Sequence, residues 1–359
     1  MERELLIEIG CEELPAAWLP KLTLEFACRL EVRLSEARIA TGIPPEAFST
    51  PRRLVATVAK LSDRQIDVQE VVTGPSIAAA YNANGAPTKA ATGFARKHGS
   101  EVSDLIEVDT PKGRYLAYSR HQVGAASTEV LPAVLAATLR DLSFPKQMQW
   151  EATLDDGRGE LMFGRPIRWI LFLFGGQVVP FKIGRTASVE SIDVAVLQSS
   201  NFTYGHRFLG EQAGEPVKVK SFADYRAKLA ERFVVLDHTE RRQKIQTALL
   251  AKAEEHGGSV DFAFPTVAAL LDEVSDLVEC PLVVEGRFDE TFLELPREVL
   301  TTTMMHHQHF FPLAGLENGL LPVFLAVTNT VHENSERVSR NAERVVAARL
   351  RDARFFWEA

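Results

Sequence analysis

Residues 298–329, EVLTTTMMHHQHFFPLAGLENGLLPVFLAVTN, carry the most distinctive residue pattern of the chain. A helix predicted to begin at Pro296 runs into this segment, because proline is favoured in the first helical turn. The chain then turns back through residues 317–319 into an apolar run. Three imidazoles lie where the helix passes into the next segment, those of His306, His307 and His309. They could be metal ligands, acid–base groups, contacts to a polar ligand or half-buried residues.

The spacing of these histidines does not predict a metal site. If a helix ends at His307 and a strand follows, only His307 and His309 share a side, and no HExxH pattern supplies further ligands. The chain also has no GxSxG elbow, and neither Cys11 nor Cys280 has a sequence partner, so a hydrolase is left unsupported. The pair His307–Gln308 is better suited to hydrogen bonds with a ligand or across a domain interface.

Length and composition indicate a multi-domain protein. A chain of 359 residues exceeds the length at which single cores stop growing, roughly 250–300 residues. Its 46% hydrophobic and 25% charged residues are typical of soluble proteins, and no apolar run approaches the ~20 residues of a membrane span. The N-terminus does not resemble a signal peptide, so the chain is predicted to be cytoplasmic. Three widely spaced cysteines predict no disulfide framework.

Hydrophobic periodicity predicts an α+β fold with mixed, mostly antiparallel sheets in the first half and a more helical second half. Strands are predicted near residues 5–9, 54–59 and 282–285, and β-rich runs on both sides of Gly175–Gly176 predict a hairpin. Helices are predicted near residues 15–40, 88–98, 127–142, 221–232, 238–256, 266–279 and 334–359. The predicted domains are residues 1–61 with 151–208, an inserted subdomain 62–150, a second domain 209–330, and the start of a helix at 331–359.

Arginines lie at the entrances of two predicted strands. Arg52 and Arg53 follow a turn fixed by proline, a placement that suits phosphate or carboxylate recognition as well as a surface salt bridge. Arg165 and Arg168 lie among tryptophans, which can stack on bases beside gripped phosphates or build an ordinary amphipathic edge. The net charge of −8 argues against nonspecific coating of DNA, but it leaves a local RNA-binding face open.

Two further charge patterns carry expectations. Glu12 and Glu13, at the N-terminus of a predicted helix, suit the helix dipole or else bind a cationic group. In the final helix Arg349 falls within the apolar face, so it is predicted to be a buried structural charge paired with a carboxylate such as Asp352. That helix has no stop signal, which predicts a truncation within a longer polypeptide.

Eleven motifs follow one another along the chain. They are LLIEIGCEELP, STPRRL, NGAPTKAATGF, FPKQMQW, FGRPIRW, YGHRF, EVSDLVECPLVVEGRF, FLELPREVL, HQHFF, GLLPVFLAVTN and ARLRDARFFWE. Each is weak alone, but their joint order resembles the N-terminal half of the β subunit of bacterial heterotetrameric glycyl-tRNA synthetase. The resemblance covers nearly the whole chain.

The resemblance implies an α2β2 ligase that joins glycine to tRNA(Gly) using ATP and Mg²⁺. In that family the α subunit holds the aminoacylation site, and the β subunit serves tRNA binding and assembly. No cofactor, metal or catalytic residue is therefore expected in this chain. The expected partners are the α subunit, tRNA(Gly) and a second β subunit, with no membrane. A missing C-terminal half would carry an HD-type domain and an anticodon-binding domain.

The resemblance also selects residues suited to contacts with tRNA or between domains. They are Arg52, Arg53, Lys146, Arg165, Arg168, His206, Arg207, His307 and Gln308. The chain departs from the family at Gln149, Met305 and His309, where Arg or Lys is usual, and at Cys11, where a small hydroxyl residue is common. The neutral side chains at the first three positions cannot supply a continuous basic track, because they release no phosphate counterions.

The leading expectation is thus a tRNA-handling, assembly-forming part of a glycine–tRNA ligase that is not catalytic on its own. The first alternative is a stand-alone or editing-type hydrolase that acts on aminoacyl-tRNA through His307 and a cysteine or acid partner. The second alternative is a purely structural assembly scaffold.

Overall fold

The computed structural model describes residues 1–185, 196–315 and 319–358. Its helices are α1 (Leu19–Glu36), α2 (Ile77–Ala80), α3 (Lys89–Lys97), α4 (Ser127–Asp141), α5 (Phe222–Glu231), α6 (His238–Glu255), α7 (Pro265–Ser275), α8 (Arg297–Thr302) and α9 (Ser335–Glu358). A π-helical turn, Thr303–His307, continues α8. No helix in these ranges is long and apolar enough to cross a membrane.

The strands confirm the predicted α+β class. They are β1 (Glu2–Cys11), β2 (Glu46–Thr50), β3 (Arg53–Ser62), β4 (Val68–Ser76), β5 (Ile106–Thr110), β6 (Gly113–Gln122), β7 (Met148–Thr153), β8 (Glu160–Phe163), β9 (Ile167–Phe174), β10 (Gln177–Val178), β11 (Lys182–Arg185), β12 (Leu197–Ser200), β13 (Phe202–Tyr204), β14 (Pro216–Lys218), β15 (Pro281–Arg287), β16 (Phe310–Ala314) and β17 (Leu320–Asn329).

The first unit is built on a nine-stranded sheet with the order β2-β3-β1-β9-β12-β11-β7-β8, and β10 pairs with β9. The pairings along this sheet are antiparallel, except that β12 runs parallel to β9. This mixed, mostly antiparallel sheet agrees with the prediction for the first half.

Both faces of β1 are buried, because successive side chains of a strand point to opposite sides. Leu5, Ile7 and Ile9 share a core with α1 and α4. Leu6 points the other way and shares a core with Tyr225 of α5. β9 is divided in the same manner between these two cores, so both of its faces are covered as well. Glu8 therefore lies in the α5 layer, within the otherwise apolar part of β1 that runs from Leu5 to Cys11.

Three smaller sheets complete the described part of the fold, and one of them is the two-stranded pair β13–β14. The order β4-β6-β5, with α2 and α3 beside it, forms a subdomain around Ala80, Ala91 and Leu116. The second unit has the order β15-β17-β16. One core of this unit contains α6 and α7, and another contains α8 and α9. The helix α5 lies after residue 209, where the second domain is predicted to begin, but it packs on the large sheet of the first unit. The domain bounds given from the sequence stay a prediction.

The predicted hairpin around Gly175–Gly176 is only partly present. β10 pairs with β9 at Gln177 and Val178 alone. The Val179 N–H still donates to the Phe172 carbonyl of β9, but the next N–H on that side, that of Phe181, bonds to Ser199 Oγ of β12 instead. β11 pairs instead with β12 and β7. Of the turn predicted at residues 317–319, positions 317 and 318 lie outside the described residues.

The prediction that Arg349 is a buried charge is wrong, because its side chain is exposed. The buried residues of α9 are Ala342, Val346 and Leu350. At ~100° per residue, Arg349 lies at the edge of this stripe, on the side of Val345, which is itself 43% exposed. Periodicity located the apolar stripe of α9, but the side of that stripe which meets the core depends on packing.

Candidate functional site

Most of the residues selected from the sequence meet where β1, β3, β9 and the loop after β13 come together. Two layers are found there. The inner layer, here called the buried network, consists of Glu8, Thr50, Arg53, His206 and Glu279. The outer layer, here called the arginine face, consists of Arg52, Arg165, Arg168 and Arg207 with Glu12 and Glu13.

Arg53 is the centre of the buried network and is itself fully buried. Its guanidinium lies 3.1 Å from Glu8 Oε1 and 3.1 Å from Glu279 Oε1. It also donates to the Tyr204 carbonyl at 2.9 Å. Burial alone would lower the pKa of Arg53, but the attraction of Glu279 and Glu8 outweighs it and raises the pKa. A charged Arg53 thus joins β1 and β3 to the segment that leads into β15.

The two carboxylates of the network respond in opposite directions. Burial raises the pKa of Glu8 more than the attraction of Arg53 lowers it. For Glu279 burial acts in the same sense, but Arg53 and a hydrogen bond from Thr50 outweigh it and lower the pKa. Thr50 Oγ1 donates to Glu279 Oε1 at 2.5 Å. Glu279 therefore carries the negative charge of the network more firmly than Glu8 does.

His206 closes the network on the side of the second unit. Burial lowers its pKa, although the attraction of Glu279 opposes this shift. Nδ1 of His206 accepts a hydrogen bond from the Phe208 backbone N–H at 3.3 Å, and its side chain also bonds with that of Asn329. Asn329 Oδ1 accepts from the backbone N–H groups of Glu279 and Cys280. A neutral His206 thus contacts the residue that fixes the Glu279 backbone.

In the outer layer, Glu12 bridges two arginines. Its Oε1 lies 2.7 Å from Arg168 Nε, and its Oε2 lies 3.1 Å from Arg207 Nη1. Glu13 Oε1 lies 2.7 Å from the same Arg207 nitrogen. The two glutamates therefore bind cationic groups of their own chain. Because a guanidinium has five N–H donors, these ion pairs orient both arginines and leave donors for another anion.

Aromatic rings support three of the four arginines. The guanidinium of Arg52 lies 5.5 Å from the ring centre of Trp169, and that of Arg165 lies 5.4 Å from the ring centre of Trp18. The guanidinium of Arg207 lies 5.5 Å from the ring centre of Phe208. These distances are within the range of cation–π contacts. Phe208 is 77% exposed, so an unstacked base can reach its ring.

Gly10 allows Trp169 to take its position. A Cβ atom at Gly10 would lie 1.9 Å from Cε2 of the indole. The ring therefore lies directly against the β1 backbone, and the guanidiniums of both Arg52 and Arg53 lie near it, at 5.5 Å and 5.7 Å. No residue pattern around Gly10 predicts this close packing.

The remaining residues selected from the sequence lie outside both layers. Lys146 is exposed on the segment between α4 and β7. His307 ends the π-helical turn and is exposed, and Gln308 is half-buried just before β16, so the predicted helix-to-strand junction is confirmed. Nδ1 of His309 lies 3.6 Å from Glu273. No three His, Cys, Asp or Glu side chains among the described residues are grouped so that they could hold a metal ion.

Among the described residues, sequence reasoning missed four buried charged side chains, those of Glu8, Arg241, Asp276 and Glu279. Arg241 is fully buried and donates to the carbonyls of Ser275, Leu236 and Ser49 and to the carboxylate of Asp276. Its pKa is lowered by burial, against the attraction of Asp276. Glu8 offered a signal, because a lone acid interrupts the apolar run of β1. Arg241 offered none, since its helix is rich in charged residues.

Comparison with known proteins shows the family of the chain. The family model described as glycyl-tRNA synthetase beta subunit matches residues 5–359. A glycine–tRNA ligase beta subunit from Syntrophus aciditrophicus is 39% identical over 358 residues, which are 100% of this chain and 48% of the relative. One from Solidesulfovibrio magneticus is 42% identical over 355 residues, or 99% and 47% of the two chains. This chain spans about half the length of these relatives. It belongs to the glycyl-tRNA synthetase beta subunit family.

Proposed function

We propose that this chain is the part of a glycine–tRNA ligase β subunit that contacts tRNA through the arginine face and takes part in an α2β2 assembly. In this proposal a cytoplasmic holoenzyme attaches glycine to tRNA(Gly) with ATP and Mg²⁺ at a site on the α subunit, and this chain supplies no catalytic group. The observation that carries the RNA contact is the pair of exposed, oriented guanidiniums of Arg168 and Arg207 beside the exposed ring of Phe208.

The charge balance of the arginine face supports an anionic partner. Four arginines face two carboxylates there, although the whole chain has a net charge of −8. The side chains of Arg168 and Arg207 are 58% and 39% exposed. A local positive field of this kind suits phosphates, and an exposed aromatic ring beside it suits an unpaired base.

Binding of a tRNA(Gly) transcript over a series of salt concentrations tests the proposal. Arg168→Gln and Arg207→Gln are each expected to weaken binding and to reduce the slope of log K against log[salt] by about 1, because each variant releases fewer counterions. Arg242→Gln is the matched control. Arg242 is also paired with a carboxylate, Asp272 at 2.6 Å, but it lies on α6, outside the arginine face.

The outcome separates the RNA contact from a purely structural role. Unchanged affinity and salt slope in both Arg168→Gln and Arg207→Gln would refute tRNA contact at this face and favour a scaffold. Aminoacylation is tested separately. The chain alone is expected to form no glycyl-tRNA, and complete β subunit mixed with α subunit is expected to form it; glycyl-tRNA formed by the chain alone would refute the division of labour.

A further inference from the structure

Three arginines of the arginine face, the half-buried Arg52 and the exposed Arg168 and Arg207, are each next in sequence to a buried side chain. Arg52 precedes Arg53, Arg168 precedes Trp169, and Arg207 follows His206. Arg168 and Trp169 are consecutive residues of β9, so their side chains point to opposite faces. Arg52 lies in the turn before β3 and Arg207 in the bend after β13, and the backbone of each is joined directly to a buried residue that fixes where the arginine starts. These three segments therefore carry arginines of the arginine face on the outside and buried side chains on the inside.

The buried side chains of these segments hold one another. Arg53 donates to the carbonyl of Tyr204, two residues before His206. The guanidinium of Arg53 also lies 5.7 Å from the ring centre of Trp169. Displacement of Arg53 would therefore change the support of all three segments at once.

Glu279 links this arrangement to the second unit. It follows α7 and leads into β15, and its backbone is bound by Asn329 at the end of β17. Its carboxylate reaches into the first unit, where it accepts from Thr50 and pairs with Arg53. The second unit thus supplies the anion around which Arg53 is held.

We infer that Glu279 is a positioning residue for RNA binding, because it holds Arg53 and thereby fixes the directions of Arg52, Arg168 and Arg207. The geometry of the arginine face then depends on how the second unit packs against the first. The inference rests on the proposed contact between the arginine face and tRNA. Glu279 itself is buried and touches no RNA. Its effect on binding passes through Arg53 and the three segments that Arg53 joins.

Electrostatics and positioning predict different effects of changing Glu279. Glu279→Gln removes a negative charge near a phosphate-binding face, so electrostatics alone predicts tighter binding of tRNA. Glu279→Asp keeps the charge and shortens the side chain by one methylene, so electrostatics alone predicts no change. If Glu279 positions the arginines, both variants weaken tRNA binding by at least about threefold. Both also lower the salt slope, because misdirected arginines release fewer counterions.

The experiment measures binding of a tRNA(Gly) transcript to the whole chain at several salt concentrations, with circular dichroism and thermal unfolding as checks of folding. Glu273→Gln is the control, since Glu273 is a partly exposed carboxylate of the second unit outside the buried network. If a Glu279 variant does not fold, Thr50→Val removes one hydrogen bond to Glu279 and keeps both charges. Thr50→Val is expected to weaken binding in the same direction.

The results distinguish this inference from the proposed function. The first possible result is that Arg168→Gln and Arg207→Gln weaken tRNA binding, while folded variants with Glu279→Asp, Glu279→Gln or Thr50→Val bind tRNA at least as tightly as the unaltered chain. This result would refute the positioning role of Glu279 and leave the RNA contact standing. If neither arginine variant changes binding, the proposed contact itself fails. Weaker binding and a lower salt slope in Glu279→Asp, with Glu273→Gln unchanged, support the positioning role.

Discussion

Replacement of Arg53 by methionine is expected to cost far more stability than replacement of Glu8 by glutamine. Arg53→Met leaves Glu279 as a buried carboxylate without its principal cation, and removal of one member of a buried ion pair typically costs about 3–5 kcal/mol. That is a large part of the roughly 5–15 kcal/mol by which domains are stable. Glu8 already has a raised pKa, so Glu8→Gln removes less charge stabilisation and is expected to cost about 1 kcal/mol.

Urea unfolding at neutral pH, followed by circular dichroism, measures both changes. The triple variant Glu8→Gln, Glu279→Gln and Arg53→Met is expected to recover part of the loss, because it leaves no buried charge in the triad. Equal costs for Arg53→Met and Glu8→Gln would refute the assignment of Glu279 as the main charged partner of Arg53. A cost below about 1 kcal/mol for Arg53→Met would refute the importance of the network for stability.

Two other changes test the surroundings of the network. Gly10→Ala is expected to lower stability by about 1–3 kcal/mol or more in thermal unfolding, because the added Cβ would overlap Trp169. Gly93→Ala is the control and is expected to be neutral or stabilising, because its Cβ meets nothing within 4 Å. Similar losses of stability in both variants would contradict the close packing at Gly10. His206 has a pKa below 6.5, so below that pH the unfolded chain binds a proton that the folded chain excludes. Stability should therefore fall on acidification through this window by at most about 1.4 kcal/mol per pH unit, and His206→Asn should reduce this slope; parallel pH profiles would exclude His206 as the group responsible.

The layers of the fold could be predicted from local pattern, because local pattern records which faces are buried. The apolar runs at residues 5–9 and before Gly175 identified the strands β1 and β9, and the bounds of α3, α4 and α6 follow periodicity and caps. The pairing of strands was harder to predict from the sequence. Phe181 bonds to Ser199 of β12 rather than to β9, so the strand after β10 has different neighbours, and the number of β-forming residues does not reveal this change.

The arginines of the site and His206 could be selected from motif positions, but Glu8, Thr50 and Glu279 could not. Arg53 is 45 residues from Glu8 and 226 residues from Glu279 along the chain, so their pairing follows from the packing of two units rather than from any spacing. For Arg349 the sequence pattern predicted a buried charge where the structure has an exposed one. A charge at the edge of an apolar stripe looks buried on a helical wheel, although the core covers the other edge.

The contact between Arg241 and Ser49 has a consequence for aggregation. β2 is a terminal strand of the large sheet, and the exposed edge of such a strand can recruit a strand from another molecule. Here Arg241 of α6 donates to the Ser49 carbonyl of β2 at 3.1 Å. Docking of the second unit therefore shields this edge as well as holding the two units together. A change that loosens the docking, such as loss of Arg241, would release an edge strand, so its first visible result would be self-association of the protein rather than simple unfolding.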